Sequence, residues 1–113
     1  MAVPLPLLRQ VQSGSASDAW QAILSHAWQI CSEPLNKATA AHEVTQRDNK
    51  VGDLDLFLST AGWDLWRAYD ESVEHTADAL AGWWGNTAGA KAVLILDALS
   101  LREAPWILKG ARN

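Results

Sequence analysis

The chain has 113 residues, 49% apolar and 19% charged, with a formal net charge of −4. That balance fits one small globular domain and excludes a disordered polar chain. With no Lys/Arg cluster, it leaves no electrostatic footprint for nucleic acid in this segment.

The first 14 residues read as an extended lead-in, because Pro4 and Pro6 stand where a helix would start. The lead-in lacks the positive start of a signal peptide. No apolar run in the chain approaches the roughly 20 residues that cross a bilayer. Ser15 or Ser17 can cap a helix. Trp20, Ile23, Leu24, Ala27, Trp28 and Cys31 then recur on one stripe at helical spacing, with Gln21, Ser25 and Gln29 opposite. Pro34 closes the pattern. Cys31 is the single cysteine, which excludes an internal disulfide. Its apolar neighbours suggest a buried thiol in a reducing, cytoplasmic compartment.

From Leu35 to Gly52 the pattern is weak. Ala38 to Gln46 fits a helical turn or two, and Arg47 to Asp53 reads as a polar loop. Leu54, Leu56 and Leu58 alternate with Asp55 and Phe57, as in a short strand, although a helix fits equally. The strongest helical periodicity runs from Trp63 to Trp84. It sets Trp66, Tyr69, Val73, Ala77, Leu80 and Trp84 on one face, with Arg67, Glu71, Glu74 and Asp78 largely opposite. Gly82, Gly85 and Asn86 supply the stop. Ala92 to Leu96 is an unbroken apolar run with branched residues at Val93 and Ile95, which reads as a strand buried on both faces. A last helix is expected from Leu101 to Lys109, with Ser100 and Glu103 in capping-box register. These elements make an α/β chain, mostly helical, with one or two strands. The Trp residues number seven against one Tyr and one Phe, so the aromatic bulk is nearly all indole. They either fill the core or form a docking surface, since Trp is enriched at interface hot spots.

Asp97 is the main candidate for chemistry. It closes the apolar run, and ligands of open parallel sheets bind at the carboxyl ends of strands. A carboxylate there needs a partner. A metal ion, Arg102 and the N–H groups of the following helix are the alternatives. His26, His42 and His75 lack metal-ligand spacing. Ser100 stands at a strand–helix junction, but no glycine elbow surrounds it and a capping role explains it.

The stretch from Trp63 through Arg112 resembles the beginning of the PglZ domain. The likeness lies in Trp66-Arg67-Ala68-Tyr69-Asp70-Glu71, in Trp83-Trp84-Gly85-Asn86, and in Val93-Leu94-Ile95-Leu96-Asp97-Ala98-Leu99-Ser100-Leu101-Arg102. Ser100 stands where the family motif often carries Arg. PglZ domains belong to the alkaline phosphatase superfamily and occur in bacterial phage defence. The resemblance implies that residues 93–97 begin an alkaline-phosphatase-like parallel sheet and that Asp97 is a divalent-metal ligand of the complete parent, zinc being one candidate. It divides the chain into a helical lead-in over 1–62 and the start of a PglZ-like domain over 63–113. The complete parent would be a metal-dependent phosphoesterase-type hydrolase. Its nucleophile and remaining ligands would follow this strand, so the chain is expected to be the N-terminal part of such a protein, inactive alone and binding no metal. Its expected partner is another protein or the remainder of that domain. The alternative from the residues themselves is a Trp-rich helical interaction module without catalytic activity.

Overall fold

The computed structural model describes residues 3–112, and they form seven helices: α1 (Leu5–Ser13), α2 (Ala16–Ser32), α3 (Ala40–Ala61), α4 (Trp63–Arg67), α5 (Tyr69–Ser72), α6 (Thr76–Asn86) and α7 (Ala104–Ala111). The described residues contain no strand and no sheet, so they are all-α and the α/β expectation is corrected.

α1 replaces the extended lead-in. Pro4 takes the N-cap position and Pro6 falls in the first turn, where a missing N–H leaves no hydrogen bond broken. α2 follows its sequence signature. Ser15 accepts from the Asp18 N–H at 3.1 Å, and the Asp18 carboxylate accepts from the Ser15 N–H at 3.1 Å and its hydroxyl at 2.7 Å. This is a closed capping box. Ala19, Trp20, Ile23, Ile30 and Cys31 are buried along α2, whereas Leu24 and Trp28 of the expected stripe lie exposed.

α3 runs unbroken through the expected loop at 47–53 and the expected strand at 54–58. Ala40, Arg47, Val51, Leu54 and Leu58 turn away from solvent at intervals that fit one helical face. Arg47 is the reason the face was hard to read: a cation occupies a core-facing position. It is buried to 9% exposure. Its Nη1 donates to the Cys31 carbonyl at 3.3 Å and its Nη2 to the Glu33 carbonyl. These carbonyls are at the C-terminal end of α2, where the last turn lacks intrahelical donors and the helix dipole favours a cation. α3 ends at Gly62, where a Cβ would fall 2.7 Å from the Leu58 carbonyl oxygen.

The single helix expected over Trp63–Trp84 is three helices. Ala68 interrupts the helix as a turn residue at φ −90°, ψ −2°, and Val73 is extended at φ −116°, ψ 130°. Trp66 and Tyr69, three residues apart across the first break, share one target. Trp66 and Tyr69 pack edge-on against Trp20, with centroids 4.8 and 4.9 Å away, a geometry that ring quadrupoles favour. The Trp20 indole N–H donates to the Leu65 carbonyl at 2.9 Å. Val73 is half-buried against the core, Trp66 and Leu80 are 46% and 39% exposed, and Glu71, Glu74 and Asp78 are solvated.

The core joins Val3, Leu7, Trp20, Ile23 and Leu54. No residue from Trp63 to Arg112 is buried. The radius of gyration is 16.7 Å, against roughly 13 Å for a compact chain of this length. The accessible surface is 8727 Å², against roughly 6,100 Å² for a compact monomer of this mass.

Candidate docking surface

Most of the exposed large apolar side chains lie from Trp63 onward. From Ala90 to Leu96 the chain runs on without helix, turn or bend. The expected buried strand is therefore an uncovered segment: Leu94 is 80% and Ile95 82% exposed, with Val93 and Leu96 near half. The pattern reported the apolar character correctly, but burial requires a covering layer that the described residues do not supply.

Two features set this segment beside α6. Trp83 and Trp84 stand edge to face at the end of α6, 6.0 Å apart. Lys91 donates to the Trp84 carbonyl and holds its ammonium 5.2 Å from the Trp84 ring centre. It thereby caps α6 and makes a cation–π contact. An open groove of about 630 Å³ lies between the two elements, lined by Ala77, Leu80, Ala81, Trp84, Gly85, Val93 and Ile95. A second groove, of about 520 Å³, is lined by Leu35, Val44, Leu99, Trp106 and Ile107, with Arg47, Arg102 and Glu103 at its edges. Trp106 itself is 67% exposed.

Asp97 stands in an exposed turn just past the segment. Its Oδ1 accepts from the Ala98 N–H at 2.7 Å, and Ala98 adopts the left-handed φ of 57°. Arg102, one of its expected partners, pairs instead with Asp48 of α3 at 2.8 Å. Both side chains of that pair are about half exposed, so it ties the C-terminal segment to α3 only weakly. Ser100 does not cap the last helix. Its N–H donates to Glu103 Oε2 at 2.6 Å, which is half of the expected box, but Glu103 takes the N-cap position and α7 begins at Ala104. Pro105 in the first turn explains the late start. The described residues contain no group of three or more His, Cys, Asp or Glu side chains that could hold a metal ion.

Three other titratable groups have local partners. His75 Nε2 lies 3.0 Å from the Asp70 carbonyl and 3.2 Å from its carboxylate. The carbonyl, then the carboxylate charge, raises the His75 pKa above its ordinary value. The Ser15 hydroxyl and N–H hold Asp18 below the usual carboxylate range. Thr39 and the Asn36 N–H do the same for Glu43. Lys91 is the residue that sequence reasoning missed. Its signal was position: it precedes an apolar run that a carboxylate closes.

No described helix is long and apolar enough to cross a membrane. No protein-family model, curated protein or solved structure matches the chain.

Proposed function

We propose that the chain is a helical protein-docking module that acts through residues 91–108. The observation that carries this reading is the uncovered run Val93–Leu96, in which Leu94 and Ile95 are four-fifths exposed. Contiguous exposed apolar surface marks interaction sites, and unpaired backbone beside it offers hydrogen bonds to an incoming chain. The indoles of Trp83, Trp84 and Trp106 flank the run with the large rigid area that interface hot spots use.

A photo-crosslinking amino acid at Leu94, compared with one at Gln21 on the exposed side of α2, tests this in the cells that express the chain. The reading expects one defined adduct from position 94, whose partner loses binding to the Leu94→Asp variant. Equal, diffuse labelling from both positions would overturn it.

A second reading rests on the resemblance of residues 63–112 to the PglZ domain. In it, the complete parent is a metal-dependent phosphoesterase-type hydrolase of phage defence, and the docked partner is the remainder of that domain. Asp97 supports it as an exposed carboxylate closing an apolar run, with Oδ2 free of the Ala98 contact. The crosslink separates the two readings, because the second requires an adduct with a polypeptide rich in further Asp and His metal ligands.

A further inference from the structure

We propose that the partner is a second copy of this chain, docked antiparallel along residues 91–97 about a two-fold axis through Leu94. The proposal deepens the docking reading and rests on it.

Charge complementarity selects this occupant. The segment reads Lys91-Ala-Val-Leu-Ile-Leu-Asp97, with opposite charges three residues to either side of Leu94. Antiparallel pairing about Leu94 sets Lys91 against the second copy's Asp97, and the two-fold axis repeats that contact at the other end. Val93 then meets Ile95, Ala92 meets Leu96, and the two Leu94 side chains meet on the axis. Parallel pairing in register sets Lys91 on Lys91 and Asp97 on Asp97, and like charges directly opposite are unfavourable. A slip of one residue pulls every charge off its partner.

The local geometry accommodates the pairing. The segment is unbent, and no backbone hydrogen bond joins residues 92–96 to another described segment. Lys91 has three donors, so its bond to the Trp84 carbonyl leaves others for a carboxylate. Val93 and Ile95 already line the groove beside Leu80 and Trp84. Pairing brings the second copy's Ile95 and Val93 onto that same face.

Sedimentation velocity over a range of concentrations tests the proposal on the full chain. The wild type should show a monomer–dimer equilibrium. Lys91→Asp and Asp97→Lys should each weaken it about tenfold, and the double reversal should return it to within about threefold of wild type. Lys91→Asp also removes the α6 cap, but so does the double variant, so recovery reports the charge pair alone. A chain that stays monomeric, a dimer indifferent to either single reversal, or a double variant no better than the singles would overturn the proposal. The crosslink at Leu94 keeps its failure distinct from that of the docking reading. An adduct of twice the chain mass containing only this chain's peptides supports the second copy, and an adduct with another protein overturns the second copy while docking stands. Labelling no different from Gln21 overturns both.

Discussion

The indole N–H of Trp20 donates to the carbonyl of Leu65, 2.9 Å away and 45 residues on in the chain. This bond, with the edge-on contacts of Trp66 and Tyr69, fastens α4 and α5 to the core helix. Trp20→Phe should therefore cost about 1–2 kcal/mol from the lost bond and part of the packing. Trp63→Phe and Trp106→Phe, at 72% and 67% exposed positions, should change stability by less than about 0.5 kcal/mol. Urea unfolding followed by circular dichroism compares the three.

Arg47 is expected to matter through geometry as well as charge. Its guanidinium bridges the Cys31 and Glu33 carbonyls. Arg47→Ala should cost about 1.5–3 kcal/mol, the range for hydrogen bonds made by a charged group. Arg47→Lys should recover only part of it, because an ammonium lacks the planar fork. Urea midpoints of the two variants decide this, and equal stability of Lys and Arg at position 47 would count against it.

Stability should fall on both sides of a mildly acidic plateau. Asp18 and Glu43 are held below their ordinary values by hydrogen bonds to the ionised form. Their contribution is complete above the unfolded-state values near 4 and is lost as pH falls through the lower folded values. His75 is held above its ordinary value by the Asp70 carbonyl and carboxylate. Its contribution is complete below about 6.5 and is lost as pH rises through the higher folded value. Asp70→Asn should remove the carboxylate's share of that rise and leave the carbonyl's. An NMR titration of the His75 ring reads the change directly.

The chain alone should not hydrolyse aryl phosphates. A two-metal hydrolase clamps both ions with several ligands, and the described residues hold no group of three or more His, Cys, Asp or Glu side chains that could do so. Turnover supported by Zn²⁺ or Mn²⁺ and abolished by Asp97→Ala would show a competent site in the chain.

The sequence displays some elements openly and conceals others, for physical reasons. α2 is legible because its capping box and most of its buried stripe are local, one turn or two apart. α3 is concealed because Arg47 interrupts its apolar face and because Leu54, Leu56 and Leu58 mimic a strand; only Leu54 of the three is buried. The breaks at Ala68 and Val73 leave Trp66 and Tyr69 three residues apart, as on one helical face, so the apolar pattern does not report the splitting of the Trp63–Trp84 periodicity. Ala92–Leu96 carries every local mark of a strand, but a strand exists only with a paired neighbour, and the described residues provide none. The candidate site follows the same division. The charges at Lys91 and Asp97 are visible in the sequence, whereas the exposure of the residues between them is a tertiary fact.

Amide hydrogen exchange of residues 92–97, measured in dilute and in concentrated solution, tests the central claim most directly. In dilute solution these amides should exchange at nearly unprotected rates while α2 and α3 stay protected. In concentrated solution they should slow by about tenfold or more as the segment is covered. Strong protection already present in the dilute monomer would show that the chain covers this segment itself, and the docking surface would not exist.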